Sequence, residues 1–415
     1  MAPKPHRTVS PGALVALVCG AQVLAQLGAF FWPALLPGMM TLWGLSNSQA
    51  GWITAAFYAA YMVSVPVLVT LTDRFDAKYV YLFGVACMVA GHLLFSVLAD
   101  GFWSALAARA LVGLGWAGTY MTGLKLLADQ VDARLMSRAV TGHAASIGIS
   151  GAVSFLIADL VAGAAGWRAS FLVAALSAAV AWVAVLVVVP ARPPLRRDDH
   201  ARTFDFLPVL RNRSAMAYAI AYGIHSLELN GMRGWVVAFL AFAAANTGTS
   251  TALVSPAAAA TILGLVGTIA SVAGNELAIW LGRRFLIAGA MMASLAIASV
   301  LGFVGASSYP LAVLLVLLYS FVTWLDSASL TAGAAGTADP ARRGATLAVH
   351  STLGYAGGFV GPLAIGWTLD LSGGMSPFGW GMAFLVIAIL VLASLVTFLL
   401  MRPTELAGDR RKQGF

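Results

Sequence analysis

The stretch Tyr222-Gly223-Ile224-His225-Ser226-Leu227-Glu228-Leu229-Asn230-Gly231-Met232-Arg233-Gly234-Trp235 sets an imidazole, a carboxylate and a guanidinium inside an otherwise apolar run. A charge at the centre of a bilayer costs roughly 2.5–3.5 kcal/mol on insertion scales, so each of these groups needs a partner, a wet cavity or a task. His225 and Glu228 are three apart and share a helix face, whereas Arg233 lies about 140° around from Glu228 on a regular helix. Gly231 and Gly234 bracket Arg233, and a bend there is expected to bring the groups together. Glu228 then reads as a protonatable carrier carboxylate and Arg233 as an anion contact. His225 passes the proton or holds the carboxylate in place. The competing reading is a self-neutralising cluster that only fixes helix packing.

A second set surrounds Arg109. Trp116 and Tyr120, seven and eleven positions on, return to its face, and that stripe suits an anionic or aromatic solute because Arg offers a planar fork to carboxylates and stacks on rings. Lys125 points the opposite way and is expected to reach toward Asp129. A third set, Tyr319, Thr323 and Asp326, shares one face at spacings of four and three, with Asp326 as a second candidate proton carrier or a structural acid. His92, His143 and His350 are single histidines on helix faces and read as packing residues. No histidine pair has metal-ligand spacing, and no phosphate loop, nucleophile elbow or zinc-hydrolase motif occurs, so the chain is not expected to be an enzyme and no cofactor or metal is expected. Cys19 and Cys87 both fall inside apolar runs and suggest no disulfide framework.

The elements that must position these residues follow from the basic charge. All but four of the 24 Lys and Arg residues fall in seven short segments: Lys4/Arg7, Arg74/Lys78, Arg134/Arg138, Arg192 to Arg213, Arg283/Arg284, Arg342/Arg343, and Arg402 to Lys412. The exceptions are Arg109, Lys125, Arg168 and Arg233. Between consecutive segments there is room for two membrane spans of roughly 20 residues and one outer loop. The excess of Lys and Arg marks the cytoplasmic side, which predicts twelve spans with both termini inside. They are expected near 12–36, 49–71, 79–98, 102–128, 138–163, 168–190, 215–243, 256–281, 285–305, 309–335, 344–370 and 378–401. A chain that is 60% apolar, 10% charged and carries 43 Gly fits an all-α polytopic membrane protein. The net charge of +8 is absorbed by topology and anionic headgroups, so no nucleic-acid partner is implied.

The organisation is a duplication. The polar stretch 191–213 divides a first six-span unit, 1–190, from a second, 214–415. Around span five the chain reads Gly142-His143-Ala144-Ala145, Gly148, Gly151 and Asp159-Leu160, then Gly166-Trp167. Around span eleven it reads Val349-His350-Ser351-Thr352, Gly354, Gly358 and Asp370-Leu371, then Gly379-Trp380. Such repeats are typical of secondary transporters, whose substrate site lies at the midplane between the halves.

Three local motifs narrow this further. Leu71-Thr72-Asp73-Arg74-Phe75-Asp76-Ala77-Lys78 is similar to the loop motif G-x-L-a-D-R-x-G-R-K, with Val69 and Asp76 at its glycines. Gly282-Arg283-Arg284 keeps part of its counterpart, with Ile279 where the Asp would stand, and Arg109-Ala110-Leu111-Val112-Gly113-Leu114-Gly115 resembles R-x-x-x-G-x-G. Over residues 10 to 402 the chain resembles the major facilitator superfamily. Its span-five antiporter motif is not matched, although Gly357-Gly358-Phe359-Val360-Gly361-Pro362 on span eleven is similar; the plain reading of those glycines is close helix packing.

The resemblance implies two pseudo-symmetric six-helix bundles, with Gln22 and Gln26 lining the cavity alongside Arg109, Arg233, Trp116, Tyr120 and Tyr319. It also puts Asp73 beside the start of span eleven near Gly344–Thr346, a gate in which Arg74 and Arg138 take part. The expected protein is a monomeric inner-membrane carrier of a small anionic or zwitterionic organic solute, driven by protons as a symporter. Proton-antiport efflux of an amphiphilic or toxic compound is the second reading, and a membrane ligand sensor that moves nothing is the third.

Overall fold

Side-chain caps decide where the apolar runs become helices. Ser10, Ser255 and Ser376 each accept a backbone N–H from the first turn that follows, with Pro in that turn where its missing N–H costs nothing. Ser46 and Gln49 form a reciprocal capping box at the start of span two. The computed structural model describes residues 10–192, 206–251, 254–406 and 409. Residues 193–205 of the expected linker lie outside this set, as do Lys4, Arg7 and Arg410 to Lys412.

The result is an all-α membrane protein of twelve spans. Among the described residues, nine spans are long and apolar enough to cross a membrane by length and composition. The other three are span four (Phe102–Ala117 and Tyr120–Ala128), span seven (Arg213–Thr247) and span eleven (Arg343–Leu371). Arg109, Lys125, His225, Glu228, Arg233 and His350 all sit on these three, so the least lipid-like spans carry most of the intramembrane chemistry.

Packing repeats between the halves. Spans one and five, two and four, three and four, and three and six pack together in the first bundle, and seven and eleven, eight and ten, nine and ten, and nine and twelve do so in the second. The bundles meet through spans two and eleven, five and eight, and one and seven. Glycines allow the closest approaches: a Cβ on Gly357 of span eleven would stand 1.9 Å from the Gly223 carbonyl oxygen of span seven, and one on Gly361 would stand 2.1 Å from that of Leu227.

Three spans are interrupted: span one between Pro11–Gln26 and Phe31–Trp43, span four at Gly118–Thr119, and span ten between Tyr309–Leu325 and Ser327–Gly336, at Asp326. Span seven, where a bend is expected, runs unbroken instead. Gly231 and Gly234 there face Gly361 and Thr54 closely, so they serve packing rather than bending.

Spans two and eleven close against each other away from the termini. Asp370 Oδ1 accepts from the Asn47 backbone at 3.1 Å and its Nδ2 at 2.7 Å, while Oδ2 accepts from the Ser48 backbone at 2.7 Å. A carboxylate from the end of span eleven thus caps the first turn of span two. Trp52 packs edge-on against Trp367 and Phe359 across the same seam, and Tyr61 stacks on Tyr355 nearer mid-depth. The other ends of the two spans, Leu71 and Arg343, lie on the side of the bundle where span one begins and span twelve ends. Asp73, Arg74 and Arg138 are exposed there, and Gly344 has open space where a side chain would begin.

The chain after span twelve straps the second bundle at that same face. Arg283 forms a fork with Asp409, Nε to Oδ2 at 3.0 Å and Nη2 to Oδ1 at 2.9 Å, and Glu405 accepts the backbone N–H groups of Arg283 and Arg284. The acid missing at Ile279 is therefore supplied from the tail.

Candidate functional site

The breaks in spans one and four create the first half of the site. The interruption of span one frees the Ala29 carbonyl, which accepts from Arg109 Nη1 at 3.0 Å, and the guanidinium lies 4.8 Å over the Phe57 ring. Arg109 is 2% exposed, and its Nε has no hydrogen-bond partner. Trp116 packs edge-on against both Phe57 and Phe30. The break at Gly118–Thr119 turns Tyr120 off Arg109's stripe toward span five, where its ring lies 6.0 Å from His143.

Arg233 reaches the same aromatic cluster from the second bundle. Its guanidinium lies 5.1 Å from the centre of the Phe30 ring and 4.8 Å from that of Trp324, and it makes no ion pair among the described residues. Between the two arginines, Tyr58 Oη donates to Asn230 Oδ1 at 2.9 Å, a hydrogen bond that crosses from one half to the other. Two guanidiniums thus flank a wall of Phe30, Phe57 and Trp116.

Glu228 and Arg233 do not pair: along the continuous span seven they face different neighbours. Glu228 is 5% exposed, and its Oε1 accepts from Ser294 Oγ of span nine and, at 3.2 Å, from Thr323 Oγ1 of span ten. Tyr319 points its hydroxyl at the same carboxylate without forming a well-aligned hydrogen bond. His225, one turn away, turns to Asp326 at the break in span ten, with Nδ1 to Oδ1 at 2.8 Å. That approach is a close contact rather than an aligned hydrogen bond, since both atoms lack a hydrogen-bond partner. Tyr222 stacks between His225 and His350, whose Nε2 lies 3.1 Å from Thr331 Oγ1.

The remaining sequence candidates lie elsewhere. Gln22 and Gln26 are fully buried: Gln22 Oε1 accepts from Tyr81 Oη at 2.9 Å, and Gln26 Nε2 donates to Thr119 Oγ1 at 3.4 Å, at the break in span four. Both contacts join helices within the first bundle. Lys125 reaches Asp129 as expected, at 2.6 Å. Asp73, Arg74 and Arg138 form no ion pair among the described residues, and the start of span eleven stands open.

Several participants escaped the sequence reading. Ser294 is a small hydroxyl in an apolar span, and Phe30 and Phe57 look like any lipid-facing aromatic. Asp370 carried a signal: it matches Asp159 in the repeat, and an acid at a helix end facing the other half is a natural cap.

A family model described as Major Facilitator Superfamily matches residues 18–362. Human protein spinster homolog 1 is 26% identical over 246 residues, covering 56% of this chain and 47% of the relative. A mouse sphingosine-1-phosphate transporter is 23% identical over 235 residues, covering 54% of this chain and 43% of its own. The matches thus span about half the length of these curated relatives. Among solved structures, a bacterial homolog of the human lysosomal transporter Spinster, in an inward-facing and occupied conformation, aligns over 99% of this chain and all of its own with a TM-score of 0.79 and 14% identity.

Proposed function

The chain belongs to the major facilitator superfamily, and from that premise we propose that it is a secondary active transporter of an amphiphilic organic anion or zwitterion, working by alternating access of its two bundles in a bacterial-type inner membrane. The observation that carries this reading is the pair Arg109 and Arg233 flanking Phe30, Phe57 and Trp116, with Arg233 making no ion pair among the described residues. A guanidinium on an aromatic face keeps its N–H groups free for an anion, and the rings offer apolar area to a hydrocarbon or ring system. The name of the sphingosine-1-phosphate relative supports a lipid-like anion. Efflux by proton antiport is the second reading because the same wall suits an amphiphilic toxicant.

In this reading the face carrying the termini is cytoplasmic and the conformation faces inward. Asp370 on Asn47 and Ser48 is the latch of the outer mouth, and Asp73 meets the start of span eleven only when the inner mouth shuts. Protons enter the cycle at Glu228, with His225 and Asp326 as the neighbouring pair. Reconstituted protein should accumulate radiolabelled sphingosine-1-phosphate or a lysophospholipid under a pH gradient, and Arg233→Ala should abolish it. Failure to bind or move any lipid-like or small organic anion in such vesicles sinks the reading.

A further inference from the structure

Four tyrosines gather on one side of the two arginines: Tyr61 from span two, Tyr120 from span four, Tyr222 from span seven and Tyr355 from span eleven. Spans two and four run toward the face carrying the termini, and in them Tyr61 and Tyr120 follow Tyr58 and Arg109. Spans seven and eleven run away from it, and in them Tyr222 and Tyr355 precede Asn230 and Gly358, where a Cβ would stand 3.0 Å from the Tyr58 ring. All four are therefore displaced from Tyr58, Asn230 and the guanidiniums toward the same face. Every pair of the four phenols lies within electrostatic reach. Tyr61 and Tyr355 stack across the two halves, with ring centres 3.6 Å apart and planes 25° apart.

Each half backs its side of this layer with a histidine. His143 lies parallel to Tyr120, with planes 13° apart, and its Nε2 donates to the Tyr120 carbonyl at 2.8 Å. His350 stacks on Tyr222 with ring centres 3.9 Å apart. A Cβ on Gly354 would stand 2.4 Å from the Tyr222 ring, so span eleven keeps a glycine where that ring lies. His143 and His350 hold matching positions in the internal repeat, and the duplication thus gives each half one histidine-backed tyrosine.

We propose that this layer is an inner gate, which closes the anion site toward the face carrying the termini until the Tyr61–Tyr355 stack parts. The start of span eleven stands open at Gly344, yet Arg109 is 2% exposed and Tyr61 1%, so the barrier lies deeper than the mouth. Tyr120, Tyr222 and Tyr355 are half-buried, as rings at the edge of an opening are. Phenols suit the task because they fill space by stacking and bring no formal charge that would hold a passing anion. A gate of acids and bases beside two guanidiniums would compete with the solute for them. The gate rests on the carrier reading above and deepens it, separating the mouth, where Asp73 acts, from the barrier next to the solute.

The test is thiol accessibility in full-length protein carrying Cys19→Ser and Cys87→Ser, in membrane vesicles sealed with the termini side out. Ser226→Cys sets the reporter one turn beyond Tyr222, on the arginine side of the layer, at a position 6% exposed. A membrane-impermeant thiol reagent should label it slowly. Tyr61→Ala and Tyr355→Ala should each speed labelling by about two- to tenfold, the change expected when a ring–ring contact is lost. Tyr61→Phe keeps the ring and should stay slow, while Ala348→Cys, on the near side of the layer, should label alike in every variant. Should an alanine variant fail to fold, Tyr61→Leu replaces it with the same expected rise, since leucine fills volume but cannot stack. Fast labelling of Ser226→Cys with all four tyrosines intact, or slow labelling in the folded alanine or leucine variants, overturns the gate. Transport separates this outcome from the carrier reading. Solute accumulation with labelling indifferent to Tyr61 and Tyr355 removes the gate alone, whereas gated labelling in a protein that moves no solute removes the carrier reading alone.

Discussion

At the scale of single residues, sequence picked out the ionisable groups inside the spans but not how they pair. His225, Glu228, Arg233, Arg109 and Asp326 stand out because intramembrane charge is costly. Their partners were hidden because Ser294, Phe30 and Phe57 are ordinary residues in membrane helices and come from distant spans. Arg109 gives the sharpest test of anion recognition. Arg109→Lys keeps the charge but loses the planar fork, and hydrogen bonds to charged groups are worth about 1.5–3 kcal/mol, so solute affinity should fall by about ten- to a hundredfold with the melting temperature near wild type. An equal loss of thermal stability would instead assign Arg109 to bracing the Ala29 carbonyl. For coupling, Glu228→Gln should end accumulation driven by a pH gradient yet preserve solute exchange across equilibrated vesicles. Asp326→Asn is the matching control, and normal accumulation in Glu228→Gln would move the proton site away from span seven.

At the scale of elements, twelve spans were readable because basic segments and apolar runs alternate so regularly. The interruptions in spans four and ten were not, since no proline marks them: they fall at Gly118–Thr119 and Asp326. The one in span one, at Leu27–Phe30, precedes Pro33, which has no N–H to give the Ala29 carbonyl four residues back. The glycines expected to bend span seven lie within one continuous helix, where Gly231 and Gly234 are used for contact. Gly357 offers the test of that use. A valine there would drive side-chain atoms into the Gly223 backbone, and overpacking costs about 1–3 kcal/mol in ordinary cores. Gly357→Val should therefore yield little monodisperse protein by size-exclusion chromatography, whereas Gly344→Val, with open space around it, should purify normally. Equal yields would mean that spans seven and eleven can separate without harm. The tail strap was equally hidden: Ile279 signalled a missing acid, but nothing in the order of residues says that Asp409 replaces it.

At the scale of the whole molecule, the repeat foretold the paired bundles, and the same symmetry predicts paired latches. Asp370 ends span eleven on the first turn of span two, and Asp73 ends span two on the side where span eleven begins. A carboxylate at an exposed helix N-terminus contributes about 0.3–1 kcal/mol, enough to shift a balanced equilibrium severalfold. Asp370→Asn should make the far mouth more reactive to a membrane-impermeant thiol reagent at an introduced Ala50→Cys, and Asp73→Asn should make the near mouth more reactive at Ala348→Cys. An increase at both reporter positions from either single variant would rule out a seesaw between the two ends.

The Trp52–Trp367 contact bears on how such a seesaw can be watched. The two indoles meet edge-on with ring centres 6.3 Å apart, one from each half. Neighbouring indoles at that range couple their electronic transitions, so the pair should contribute a bisignate band to near-ultraviolet circular dichroism that vanishes once the halves rock apart. Subtracting the spectrum of Trp52→Phe from that of the wild type isolates this band from the other tryptophans. The protein thus carries its own chromophore for the state of one mouth, readable without labels, and a difference spectrum that stays flat under every solute and ion condition would mean that the indoles are not held in this geometry in solution.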